Sequence, residues 1–205
     1  MPRIRAASID EHKELTRRAL LEAAWRVIED AGTAEVPLGE IALLAGVGRT
    51  TFYDYFEDRD DVIASLVEDK LPDVIAGMIE AVPSGLGPVE RLTHLTVSTV
   101  EFVATDRVFG VILHREVGRM GLEAQRRIRE SHAQLATELA ATYTQGVDDG
   151  VFRPIPGYLA GRLIQDTIMS AARVLIEDES RRDLVTGEVV RFLLGGLRKL
   201  PSTPD

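Results

Sequence analysis

From about residue 10 to residue 199 the apolar side chains return every three to four residues, and no stretch joins strict alternation to β-branched enrichment and hairpin turns. That period closes on one face of a helix, so the chain is expected to be all-α, with no sheet. In the first helix, Asp10 to Ala31, Leu15, Ala19, Ala23 and Val27 mark one stripe, Leu20, Ala24 and Ile28 widen it, and Gly32 follows as a stop. A short second helix is expected over Leu38 to Ala45, a two-turn third over Arg49 to Phe56, and a fourth from Asp58, its N-cap, to Ala81. Past the linker-like "VPSGLGP" (82–88), helices are expected near 88–105, 106–117, 120–148, 157–178 and 183–199, with "LPSTPD" as a frayed tail.

The 205 residues suffice for a real core, and 45% hydrophobic against 28% charged residues is ordinary globular usage. No window has the run of apolar residues that a membrane span needs, and the N-terminus lacks the apolar core of a secretory signal, so the cytoplasm is the expected location. With no cysteine there is no disulfide framework and no thiolate chemistry. The net charge of −9 opposes any nucleic-acid role, because binding a duplex draws on Lys and Arg to neutralise phosphates. Residues 1–60 carry eight bases against twelve acids, but five of those bases fall in the first eighteen residues and make a mildly basic arm.

Only 5% of the chain is aromatic, yet "AGVGRTTFYDYFEDRDD" (45–61) sets Phe52, Tyr53, Tyr55 and Phe56 within five positions. Two short helices joined by "AGVG" make a helix-turn-helix, in which Gly46 and Gly48 permit the corner and Val47 plugs it. At 100° per residue Phe52 and Phe56 share one side of the third helix as anchors, while Thr50, Thr51 and Asp54 face away with Arg49, Tyr53 and Tyr55 on the flanks. A helix this short depends on those anchors, and its other face is left for a major groove, where Arg49 at the N-terminal end would meet a base edge first. An ordinary helical corner with a solvated polar face is the alternative.

The runs "RRALLEAAWRVIEDAG" and "IALLAGVGRTTFYDYFEDRDDVIASLV" resemble the DNA-binding domain of TetR-type transcriptional regulators, over about the first 65 residues. The resemblance implies a homodimeric regulator, usually a repressor, with a helix-turn-helix domain over 1–60 and an effector-binding and dimerisation domain over 61–205. By position it implies that Thr51 and Tyr53 contact phosphate, that Tyr55 matches the family's Tyr or His, and that Arg59 meets the backbone at the start of the fourth helix. It also implies that Arg49, Thr50 and Asp54 face bases. Three positions depart from the family pattern: Pro37 replaces a capping Thr, Gly48 a capping Ser, and Thr50 a Gly or Ala. With the acidic balance, they predict modest affinity that falls steeply with salt.

In the C-terminal half, Leu163, Ile168 and Leu175 on one helix and Val189, Phe192 and Leu193 on the next lie on broad apolar faces, suited to a four-helix interface between two copies. Packing within one chain is the alternative. Polar groups on otherwise apolar helices, chiefly His94, His114, His132, Tyr143 and Gln165 and also Thr96, Thr99 and Thr167, are the candidates for contacting a small hydrophobic or amphipathic effector. His94, His114 and His132 could converge, but no two of them sit at i, i+4 with a carboxylate partner and there is no Cys, so neither a metal nor another cofactor is expected. No nucleophile elbow, phosphate loop or dinucleotide fingerprint is present, so an enzyme is the remote reading, and a DNA-binding dimer controlled by a protein partner or lacking a pocket is the nearer one.

Overall fold

The computed structural model describes residues 2–199, with side chains from Ile9 onward; the "LPSTPD" tail and the side chains of Arg3 and Arg5 in the basic arm lie outside the described residues. The elements are α1 Pro2–Ala31, α2 Leu38–Leu44, α3 Arg49–Tyr53, α4 Arg59–Glu80, α5 Pro88–Thr105, α6 Arg107–Val111, α7 Leu122–Ser131, α8 Ala133–Asp148, α9 Gly157–Glu177 and α10 Arg182–Leu197. Among the described residues the nearest thing to a strand is one antiparallel bridge, Phe152 to Arg198.

α1 begins at Pro2 rather than Asp10, and three other expected helices come out differently. α3 ends at Tyr53 rather than Phe56, because the Asp54 and Tyr55 amides turn back to the carbonyls of Thr51 and Phe52, three residues earlier. This leaves Asp58 free to cap α4: its Oδ1 accepts from the Asp61 amide at 2.9 Å, while Asp61 Oδ2 accepts from the Glu57 amide at 2.9 Å. The 106–117 helix is α6 followed by a π-helical turn, Ile112–Glu116, and a 3-10 turn, Val117–Arg119. The 120–148 helix is two helices, broken at His132.

By contacts the chain forms two compact units, one of Met1–Lys70 with Arg107–Glu130, the other of Leu71–Asp106 with Ser131–Asp205. The break at His132 thus falls where the chain passes from the first unit into the second. α4 contributes its first half to one unit and its second half to the other.

In the first unit Leu20, Leu21, Ala24 and Ile28 of α1 are buried together with Ile41, Phe52 and Phe56. α6 packs on α1, and Phe109 meets Trp25 edge-on with ring centroids 5.4 Å apart. The second unit packs α5 against α8, α9 and α10 around Leu92, Leu95, Val100, Ile164, Ile168 and Leu175. The loop after α8 is stapled to the end of α10, with Arg153 N donating to Leu197 O (2.8 Å) and Lys199 N to Val151 O (3.1 Å).

Candidate nucleic-acid interface

The corner between α2 and α3 is built by backbone chemistry. Gly46 has φ 72°, its amide donates to Leu43 O at 3.1 Å, and the Val47 amide donates to Ala42 O at 3.0 Å, the paired bonds that end a helix in a left-handed residue. Gly46 therefore depends on having no Cβ. Gly48 does not: it sits at φ −71°, and no side chain caps α3. Pro37 fills the corresponding place before α2, again without a cap.

Phe52 and Phe56 are fully buried with ring centroids 5.6 Å apart, and Tyr53 stands edge-on to Phe52 at 5.5 Å while remaining 48% exposed. Arg49, Thr50 and Asp54 are exposed, and Thr51 and Tyr55 are half-buried. One helical turn and its exit thus carry six of the seven expected DNA contacts on a face held in place by two phenylalanines.

The seventh is placed elsewhere. The Arg59 side chain, 31% exposed, has its guanidinium tied to Glu116 Oε2, a carboxylate 4% exposed. Its neighbours follow suit: Asp60 Oδ2 accepts from the Gly121 amide at 2.8 Å, and Asp61 Oδ1 accepts from Arg127 at 2.7 Å. Arg127 also donates to Ser65 Oγ and to both oxygens of Glu68. Hydrogen bonding to Glu68, and then to Asp61, raises the Arg127 pKa further above its ordinary value. The first three turns of α4 are therefore fixed to residues 116–127 by charge-assisted bonds. Helical periodicity carried no sign of this, since the partners lie about sixty positions apart.

Comparison with known proteins places the chain in a family. Residues 20–66 match the family described as bacterial regulatory proteins, tetR family, and residues 85–173 match the tetracyclin repressor-like C-terminal domain. The chain belongs to the TetR family. It is a DNA-binding transcriptional regulator. It is 25% identical over 181 residues, 87% of this chain and 93% of the relative, to the fatty acid metabolism regulator protein of Bacillus subtilis. It is 41% identical over 87 residues, 42% of this chain and 44% of the relative, to the transcriptional repressor LfrR of Mycolicibacterium smegmatis. Among solved structures, FadR from Bacillus subtilis in complex with stearoyl-CoA superposes with TM-score 0.73 at 25% identity, covering 87% of this chain and 98% of that one. These relatives are regulators, and no helix among the described residues is long and apolar enough to cross a membrane.

In the second unit of this TetR-family chain the expected effector residues have separate local settings. Gln165 is exposed on α9, and His114 belongs to the first unit. Tyr143 is buried, but its hydroxyl is spent on the loop after α8: it accepts from the Ile155 amide at 2.7 Å and faces the carbonyls of Arg153 and Ile155. His94, half-buried, lies 3.3 Å from Ser98 Oγ one turn along α5, and His132 marks the α7–α8 break. Among the described residues, no group of three His, Cys, Asp or Glu side chains could hold a metal ion.

The expected dimerisation residues divide. Ile168, Leu175, Val189 and Leu193 are buried within the single chain, whereas Leu163 is 47% and Phe192 71% exposed. A groove of about 450 Å³ runs between α9 and α10, lined by Leu163, Ala171, Val174, Val185, Val189 and Phe192. Both helices are apolar on two faces, and only packing decides which face the chain keeps for itself.

Proposed function

We propose that this regulator is a homodimeric repressor that leaves a palindromic operator on binding a long-chain acyl thioester. The likeness to the fatty acid metabolism regulator of Bacillus subtilis carries the effector class, because it runs through 87% of this chain and 93% of that one and so includes the effector-binding half. The exposed α3 face carries the DNA role: Arg49, Thr50 and Asp54 read bases, and Thr51, Tyr53 and Tyr55 hold phosphates. Dimerisation runs through the α9–α10 groove with Leu163 and Phe192 at its surface, and sets the two α3 helices about 34–36 Å apart for successive major grooves.

Release follows from the bonds that α4 makes. With Arg59, Asp60 and Asp61 locked to Glu116, Gly121 and Arg127, residues 107–130 and the α3-bearing head shift as one piece. An effector that rearranges the second unit displaces that piece through its chain connections and spoils the spacing. Effector and operator are then reciprocally coupled. The protein works in the cytoplasm and catalyses nothing.

The test is selection of bound fragments from a random DNA pool at about 0.1 M salt, where phosphate contacts still count, followed by titration of the enriched complex with stearoyl-CoA. A palindrome enriched by the wild type and lost with Tyr53→Ala, and released by stearoyl-CoA, supports the reading. Absence of enrichment removes the DNA role, and release by coenzyme A alone removes the acyl requirement.

A further inference from the structure

Threonine in a helix has a cheap way to satisfy its hydroxyl, which is to return it to the carbonyl one turn back. This chain uses it repeatedly. Thr16 bonds His12 O, Thr93 bonds Val89 O, Thr99 bonds Leu95 O, Thr105 bonds Glu101 O, Thr167 bonds Leu163 O and Thr186 bonds Arg182 O, all at 2.6–2.9 Å. Two buried threonines do not. Thr96 on α5 is 1% exposed and Thr142 on α8 is 2% exposed, and the hydroxyl of each is buried without a hydrogen-bond partner.

The helix does not impose this. Thr99 lies three residues from Thr96 on the same buried face of α5 and back-bonds at 2.7 Å. Nor does the surrounding core call for a hydroxyl: the other buried residues along α5 and α8 are mostly apolar, among them Leu92, Leu95, Val100, Leu135 and Leu139, and the hydroxyls of Thr99 and Tyr143 are committed to Leu95 O and to the Arg153–Ile155 backbone. Valine has the same shape and would leave no polar atom unpaired, so each hydroxyl lowers the stability of the ligand-free chain. α5 and α8 pack on each other within one compact unit. Two unpartnered hydroxyls on facing helices of an apolar interior are the polar groups that a mostly apolar binding site uses to orient its ligand.

We infer that Thr96 and Thr142 donate hydrogen bonds to the carbonyl oxygen of the effector, so that the interior selects an acyl chain carrying a carbonyl over the bare chain. This rests on the acyl-thioester reading above and gives it a recognition element. Donation satisfies the hydroxyls only in the complex, which makes the ligand a stabiliser of the folded state and helps to drive the rearrangement.

The experiment compares the wild type with Thr96→Val and Thr142→Val, with Thr99→Val as the control whose hydroxyl is already committed to its own helix. The probes are stearoyl-CoA and S-octadecyl-CoA, the thioether in which a methylene replaces the carbonyl, measured by calorimetry. The wild type should bind the thioester about three- to tenfold more tightly than the thioether, the worth of one or two hydrogen bonds. Either valine variant should lose most of that preference, and Thr99→Val should keep it. Without ligand the two valine variants should melt at or above the wild-type temperature. Equal binding of the two probes by the wild type, or full preference in both variants, overturns the inference. So does a fall in melting temperature of several degrees in both variants, which would mean that water or protein already satisfies the hydroxyls. A wild type that binds neither probe overturns the acyl-thioester reading itself, a separate failure.

Discussion

Gly146 sits on α8 beneath the ring of Phe152, and a Cβ built there would lie 2.1 Å from Phe152 Cδ2 and 2.4 Å from Cε2. Carbon atoms in contact need roughly 3.5–4.0 Å, so Gly146→Ala demands that the ring retreat by about 1.5 Å. The ring has little freedom to do so. It is 1% exposed, stacked on Tyr143 with an interplanar angle of 9°, and its backbone is held between the Gly146 carbonyl and α10. Overpacking of this kind costs about 1–3 kcal/mol, set against about 1 kcal/mol of helix propensity gained on replacing Gly by Ala. The clash is severe enough to put the cost at the upper end, so a net loss of about 1–2 kcal/mol is expected, or about 2–8 °C in Tm for a chain of this length. Gly77→Ala in α4 is the matched control, because it is exposed with no atom within 4 Å of its would-be Cβ. It should raise Tm by about 2–4 °C through propensity alone. Thermal denaturation followed by circular dichroism reads both, and adding Phe152→Leu to Gly146→Ala should recover part of the loss. If Gly146→Ala melts at or above the wild type, the ring is not pinned and the account of the loop stapled to α10 is wrong.

Other expectations concern the head. Tyr53→Phe should weaken binding to all DNA sequences alike, whereas Arg49→Ala should relax preference at one base; indistinguishable effects in fragment selection would refute the division into phosphate and base contacts. Glu116→Ala strands the half-buried Arg59 guanidinium and should cost about 2 kcal/mol, less than for a fully buried pair because Arg59 reaches solvent, and a chemical denaturation midpoint unchanged from wild type would deny the pair a structural role. Gly48→Ser should add a few tenths of a kcal/mol, since φ −71° suits any residue and the nearest atom to a new Cβ is Thr51 Oγ1 at 3.8 Å; a loss of stability would show that the α3 N-terminus does not accept a cap. Asp178 accepts bonds from Ser180 first and then Arg181, which hold its carboxyl below the ordinary range. Its contribution is therefore present above the unfolded-state value and lost as pH falls through the lower folded one; titration by NMR at or above the ordinary value would contradict the bonding.

The sequence by itself determined the helical class, the corner at "AGVG", the burial of Phe52 and Phe56 and the exposure of Arg49, Thr50, Tyr53 and Asp54, because all of these follow from a local period of 3.6 and from residues at most seven positions apart. It placed the N-cap at Asp58 for the same reason. Tertiary structure alone decided the rest. Arg59 reads as an outward cation until Glu116 arrives from elsewhere in the chain, and Tyr143 reads as a free polar group until the Arg153–Ile155 backbone closes over it. Ile168 and Phe192 are equally apolar in sequence, yet one fills the core and the other lines an open groove. Local pattern fixes which face of a helix wants to be covered, but which of two such faces is covered, and by what, is set only when distant segments compete for the same space.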